Sequence, residues 1–328
     1  MTNGESDNLN SGEARQPRVR RYSITHVTDY VYSSESSLCH NQLHLRPREL
    51  SYQRTLHSQV EVTPPPDYSV KGIDAFGNLT EFYSIERIHA SMRVVSKCEV
   101  ERESVSFASQ GGAGLGLPQG LPVTDLRDWI AGVRGFGGAS GSVGNRDLEA
   151  MEYLYPSRYC HPHEDFRKFV EPIWDPQVDS LQFALALNRR IYEELSYTPS
   201  STQVSTPPRV SLEKRQGVCQ DFAHVMISCF RTMGLAARYV SGYLQTIPPP
   251  GKPRLVGADA SHAWVSVYLG PLGWLDLDPT NCVIPGLDHI TIGWGRDYSD
   301  VPPVQGVFVG GGFTSLQVSV DVLPISQE

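Results

Sequence analysis

Between Arg215 and Gly234 the apolar residues Phe222, Ala223, Met226, Phe230 and Met233 recur at steps of three and four, the spacing of one buried helix face. Gly217 just ahead of the run lets the backbone turn into the helix, and Gly234 suits the left-handed residue that closes one. The helix so defined places Cys219 in or beside its first turn. Backbone N–H groups without intrahelical partners and the positive end of the helix dipole gather there, and both stabilise a thiolate. A nucleophilic cysteine needs such a setting.

At 328 residues, with 40% hydrophobic and 20% charged side chains, the chain is long enough for two domains with substantial cores. A net charge of −8 argues against nucleic acid or an anionic membrane as a partner, because both reward clustered Lys and Arg. No apolar run reaches the length of a membrane span. Residues 1–19 read as a polar disordered tail without the apolar core of a signal peptide. The six cysteines, at 39, 98, 160, 219, 229 and 282, form no Cys-x-x-Cys pair. Their scatter predicts a reducing, cytoplasmic setting and no structural zinc.

From 20 to 104 the pattern is β. Tyr22, Ile24, His26, Thr28, Tyr30 and Tyr32 share one parity, and Leu43, Leu45, Val60, Val62, Phe82 and Val94-Val95 mark further short strands. Asp74-Ala-Phe-Gly-Asn78 has hairpin-turn chemistry. These signals predict an antiparallel, β-sandwich-like N-terminal domain whose His26, His40, His44, His57 and His89 pack rather than react. Eleven glycines between Gly111 and Gly144 mark 105–147 as a linker or insertion, interrupted by a short amphipathic piece from Asp125 to Val133. The second domain then runs over 148–328. Its Leu181, Ala184, Leu185, Asn188, Ile191 and Tyr192 fall on one helical stripe. His161-Pro-His163 has no third ligand placed with it and reads as a surface loop.

Two strand-like runs and a short one follow the cysteine helix. Arg238 to Gln245 is the first. Ser261 to Leu269 is the second, with His262, Trp264, Ser266 and Tyr268 on one face. The third, Gly273 to Asn281, puts Trp274, Asp276 and Asp278 on one face before Pro279 ends it. A helix-start thiol followed by strands carrying an imidazole and a carboxylate is the arrangement of a Cys-His-Asp triad. Strand parity alone leaves both Asp276 and Asp278 open as the third member. Cys229 lies ten residues along the helix from Cys219, about 1,000° of rotation, nearly a quarter turn away, and reads as core. His224 points well away from Cys219 and reads as a packing or surface residue, and Asp221 serves the dipole or a structural hydrogen bond.

The motifs Gly-Val-Cys-Gln-Asp-Phe-Ala at 217–223, Ala-Ser-His-Ala-Trp-Val at 260–265 and Gly-Trp-Leu-Asp-Leu-Asp-Pro-Thr-Asn at 273–281 resemble the transglutaminase-like core of bacterial proteins, in the order of that family. His-x-Thr-x-Tyr-x-Tyr at 26–32, Leu-Arg-Pro-Arg at 45–48 and the Asp74–Asn78 turn resemble the β-rich N-terminal region of the same family. The tail resembles it too, through Asp288-His-Ile and Gly295-Arg-Asp-Tyr-Ser-Asp-Val-Pro-Pro. The resemblance implies an α+β protein: a β-rich N-terminal domain and a papain-like core, in which the cysteine helix packs on an antiparallel sheet carrying His and Asp. It implies Cys219 as nucleophile, His262 as base and Asp278, the residue before Pro-Thr, as the orienting carboxylate.

The chemistry so implied is acyl transfer at a peptide or isopeptide amide through a Cys219 thioester, with hydrolysis favoured over cross-linking and a catalytically silent scaffold as the alternative. The oxyanion would be held by the Cys219 backbone N–H and one further donor, and Gln220 and Trp264 are the remaining candidates for that donor and for the site wall. No cofactor and no metal are called for. The expected partner is a peptide or protein substrate.

Overall fold

The strand parity that opens the β pattern runs on for 25 residues, but not in one register. Tyr22, Ile24, His26, Thr28, Tyr32 and Ser36 are buried at even positions, and after them Cys39, Asn41 and Leu43 are buried at odd ones. One residue of slip flips every following side chain to the other face, which is the effect of a β-bulge. The computed structural model describes residues 18–104, 119–134, 145–199, 201–246 and 261–325. Residues 1–17 of the tail expected over 1–19, and most of the glycine-rich stretch, lie outside them, and Val19 already belongs to the first strand.

In chain order the N-terminal elements are β1 (Val19–Leu43), β2 (Gln53–Thr63), β3 (Tyr68–Ile73), β4 (Leu79–Ile85) and β5 (His89–Glu103). Four helices follow: α1 (Val123–Arg134), α2 (Asn145–Glu152), α3 (Glu164–Val170) and α4 (Ser180–Glu194). Then come β6 (Ser196–Tyr197), α5 (Pro208–Lys214), β7 (Gln216–Gly217), α6 (Cys219–Thr232), β8 (Ala237–Leu244), β9 (Ser261–Tyr268), β10 (Trp274–Leu277) and β11 (His289–Gly295). The last are β12 (Val304–Gly310) and β13 (Thr314–Ile325). Among the described residues no helix is long and apolar enough to cross a membrane.

β1 is the spine of a seven-stranded antiparallel sheet. One of its edges carries β5 and β4 end to end, and the other carries β13 and β12 end to end. The register slips between Val31 and Ser36, and the sheet bends there into a half-barrel whose two halves share a core of Tyr32, Leu43, Tyr83, Ile85, Met92 and Val94. The expected N-terminal antiparallel unit is therefore one bent sheet. Its division from the rest differs from the sequence-based boundary at 148–328, because β12 and β13 pair with β1. Backbone pairing between distant segments leaves no local signature, so sequence order assigned these strands to the wrong unit. The segment taken as linker also differs: Val123, Leu126 and Ile130 of α1 are buried in the core around α6.

That core joins α6 to the four-stranded antiparallel sheet β10-β9-β8-β11. Phe222, Met226 and Phe230 of α6 are buried together with Ala263, Val265 and Val267 of β9. Burial of each large apolar side chain contributes roughly 1.5–3 kcal/mol. Gly234, at φ +79°, closes α6 as a left-handed residue. Gly217 has another purpose than the turn expected of it. A Cβ there would sit 2.6 Å from Cβ of Asp221, so glycine is needed for Asp221 to fold back over the helix start.

The two units meet over β8 and β11. Tyr22, Ile24, Val320 and Val322 of the bent sheet bury against Tyr243, Ile290 and Ile292. Gln53 accepts from the Thr291 N–H at 2.9 Å and donates to the Thr291 carbonyl at 2.7 Å, acting as a strand neighbour would. His26 Nδ1 meets the Tyr243 hydroxyl at 2.8 Å. Arg48 lies over one Trp294 ring face at 3.6 Å, and Arg238 is stacked on Trp294 at 3.6 Å and on Trp274 at 4.0 Å. Asn78, in the Asp74–Asn78 turn, bonds both the N–H and the carbonyl of Trp294.

Candidate active site

Asp221 fixes where α6 begins. One of its oxygens accepts from the Val218 N–H at 2.8 Å and from Thr202 Oγ1 at 2.6 Å, and the other accepts from Ser211 Oγ at 3.0 Å. With Asp221 buried and so held, the next residue after Val218, Cys219, is the first of the helix and is partly open to solvent. Half-exposed Tyr197 stands beside it. His224, one turn further, faces the other way. It is wholly buried, accepts from the Tyr298 N–H at 3.1 Å and is pushed down to about 4 by burial, which keeps it neutral. Cys229 is core, and burial pushes its thiol up.

His262, 9% exposed, is the second residue of β9, and β10 runs out one residue before Asp278, which is 0% exposed. The two strands are adjacent, so His262 Nε2 donates to Asp278 Oδ2 at 2.7 Å. The Cys219 thiol acts on the same imidazole, and because Nε2 is occupied by the carboxylate, Nδ1 is the nitrogen left to face the sulfur. Burial disfavours the imidazolium, but the Asp278 hydrogen bond and the nearby thiol outweigh it and His262 is pushed up to about 10. Asp278 shows the complement: burial opposes its charge, and the donors His262 and His289 hold its carboxyl well below the usual range.

The carboxylate is saturated. Oδ1 accepts the backbone N–H groups of Thr280 at 2.9 Å and Asn281 at 3.2 Å. Oδ2 accepts Asn281 Nδ2 at 2.7 Å and His289 Nε2 at 3.1 Å in addition to His262. Asp276 is placed otherwise: it takes the Trp264 indole N–H at 3.2 Å and does not enter this network. Of the two carboxylates that strand parity left open, only Asp278 bonds the imidazole.

The remaining sequence candidates are engaged with other partners. Trp264 is wholly buried, tilted against His262 at 6.2 Å between ring centres, and lines the rear of the imidazole rather than an open wall. The Gln220 amide donates to the Val204 carbonyl at 3.0 Å, which turns it to the surface loop instead of toward an oxyanion. Asn281 and His289 join the site without being among its sequence candidates: Asn281 closes the Asp-Pro-Thr-Asn motif and His289 is the histidine of Asp-His-Ile, but no spacing rule ties His289 to Asp278.

His262, Asp278 and His289 each offer a ligand atom within 4.8 Å of the others. The nitrogens lie 2.7 and 3.1 Å from the carboxylate oxygen, hydrogen-bond distances. Two ligands of one tetrahedral zinc keep roughly 3.3 Å apart, as bonds of about 2.05 Å require. The trio is built as a proton-bonded network.

A thiol at a helix start, an imidazole and a buried carboxylate on an antiparallel sheet make this core papain-like. Residues 22–101 match the bacterial transglutaminase-like N-terminal region, and residues 167–279 match the transglutaminase-like superfamily. The chain is 34% identical over 312 residues to an uncharacterized protein of Mycobacterium tuberculosis, covering 93% of each. It is 32% identical over 127 residues to a protein-glutamine gamma-glutamyltransferase of Pseudomonas aeruginosa, covering 36% of this chain and 19% of that one. The solved structure of a candidate cysteine protease from Cytophaga hutchinsonii superposes with a TM-score of 0.70 at 19% identity, over 95% of this chain and 92% of that one. The protein belongs to the bacterial transglutaminase-like family.

Proposed function

We propose that the protein is a cysteine enzyme that hydrolyses peptide or isopeptide amides through a Cys219 thioester. The observation that carries this reading is the placement of His262, bonded to buried Asp278 at 2.7 Å and raised in pKa by both that carboxylate and the Cys219 thiol at the helix start. The Cys219 sulfur takes the imidazole-paired thiolate form and attacks the amide carbonyl. The helix-start N–H of Cys219 receives the oxyanion, and the His262 imidazolium gives its proton to the leaving amine. Water, deprotonated by the same imidazole, then cleaves the thioester and returns the thiol.

Hydrolysis is favoured because an acyl transfer to an amine needs a water-excluding channel. The large aromatics on these strands are engaged elsewhere: Trp264 is buried on Asp276, and Trp274 stacks on Arg238. Transamidation of glutamine is the second reading, favoured by the Pseudomonas aeruginosa relative that bears that activity's name. Six free thiols support a reducing, cytoplasmic setting.

The deciding experiment incubates glutamine-containing and isopeptide substrates with and without a labelled primary amine and resolves the products by mass. Net hydrolysis that persists at millimolar amine is expected. Amine incorporation that outruns hydrolysis would replace this reading with transamidation, and loss of neither product on Cys219→Ala would remove the thioester altogether.

A further inference from the structure

One carboxylate in this protein serves two imidazoles. His289, at the start of β11, lies 5% exposed with Nε2 3.1 Å from Asp278 Oδ2, the same oxygen that His262 Nε2 meets at 2.7 Å. A carboxylate oxygen only accepts, so Nε2 carries the proton of this contact. Nδ1 is buried and has no hydrogen-bond partner, so the ring is held through Nε2 alone. His289 thus acts on Asp278 as a donor.

Its surroundings hold it in that role. The Trp264 ring meets it edge-to-face at 5.4 Å, and Arg102 of β5 donates Nε to its backbone carbonyl at 2.8 Å. The charged and titratable groups packed around it are His262 on β9, Asp278 beyond β10, Arg102 on β5 and its own neighbour Asp288, which is paired with Arg20. We propose that His289 is a positioning residue, whose Nε2–H fixes the Asp278 carboxylate so that Oδ2 stays in line with the His262 N–H. This inference rests on the thioester reading given above.

The chemical reason is angular. A carboxylate free to rotate presents either oxygen to an imidazole, and the imidazole then swings with it. Here the Thr280 and Asn281 N–H groups hold Oδ1, and His289 with Asn281 holds Oδ2, from two elements separate in sequence. Loss of the His289 donor leaves Oδ2 tied only within its own turn. The thiol, two bonds downstream in the relay, then spends less time in line with Nδ1.

The test is the second-order rate of Cys219 alkylation by iodoacetamide on the full-length protein, read by peptide mapping against partly exposed Cys282. It is run on wild type, His289→Phe, His289→Gln and His289→Asn, with melting temperature measured alongside. Phe keeps a ring against Trp264 and removes the donor, whereas Gln restores an N–H at nearly the same reach. A hydrogen bond to a charged group predicts roughly 10-fold or greater slowing in His289→Phe, with His289→Gln within about 3-fold of wild type. If Phe does not fold, the Gln–Asn pair decides, because the Asn amide falls one methylene short of Oδ2 and should be slow. Equal rates in Phe and wild type, or Gln as slow as Phe or Asn, would overturn the positioning role. A wild-type Cys219 no faster than Cys282 would instead overturn the thioester reading beneath it.

Discussion

Asp276 and Asp278 are two residues apart and chemically identical, yet their environments assign them different work. Asp278 accepts five donors and offers none, so an amide in its place would direct an NH2 group at N–H groups already aimed at it. Asp278→Asn is therefore expected to lower kcat by about three to four orders of magnitude while circular dichroism stays that of the wild type. Asp276 receives one indole N–H, which the carbonyl oxygen of Asn accepts equally well, and Asp276→Asn should stay within about 10-fold of wild type. The reverse ranking in two folded variants would give the third position to Asp276. Cys219 and His262 are marked in the sequence by local patterns, a helix start and a strand start, whereas parity leaves Asp276 and Asp278 open and only the family resemblance at Asp-Pro-Thr points to Asp278. His289 is not marked, because its partnership with Asp278 exists only once β11 has crossed from the far edge of the sheet. The Gln220 expectation fails to meet the structure for a similar reason, since the loop carbonyl of Val204 that takes its amide is a tertiary neighbour.

At the scale of elements, α6 and β9 are legible from residue choice, with large apolar residues at steps of three and four on the helix and small apolar residues at alternate positions on the strand; the structure buries both on all sides, so no solvent-facing stripe remains. Helix α1 was visible as an amphipathic piece, but glycines on either side hid its docking. The entry to α6 shows how one backbone position controls a chemical one. Gly217 touches Asp221, and Asp221 holds the Val218 N–H and the hydroxyls of Thr202 and of Ser211 in α5, which set the first helical residue. Gly217→Ala introduces a Cβ 2.6 Å from Asp221 Cβ, and the overpacking should destabilise by about 1–3 kcal/mol. Because Cys219 follows within two residues, its alkylation rate should fall as well. Thermal melts together with iodoacetamide rates check this, and an unchanged rate in a destabilised variant would separate the helix entry from the placement of the sulfur.

For the molecule as a whole, the junction between the bent sheet and the α6 core contains a histidine whose titration reports on folding. Burial lowers His26, which bridges Tyr243 and Thr28, to about 4, and it lowers His224 to about 4 as well. Below pH 6.5 the unfolded chain binds protons that these two rings refuse, so stability falls as pH drops and levels off near pH 4, by up to about 3 kcal/mol for each. His262 works in the other direction. Raised to about 10, it contributes stability fully below pH 6.5 and loses it as pH climbs through about 10. Melting temperature should therefore peak near neutrality, and His26→Gln should flatten the acid limb; an unaltered limb would remove His26 as its cause. The pairing of β1 with β12 and β13 has a consequence of a different kind, in the order of synthesis. About 260 residues separate the end of β1 from the start of β12. At ordinary elongation rates the ribosome needs roughly 15–50 s to deliver the partner for that edge. Throughout that interval β1 presents an unpaired edge to other nascent chains nearby, so the yield of folded protein in a cell depends on what shields that edge until β12 and β13 have been made.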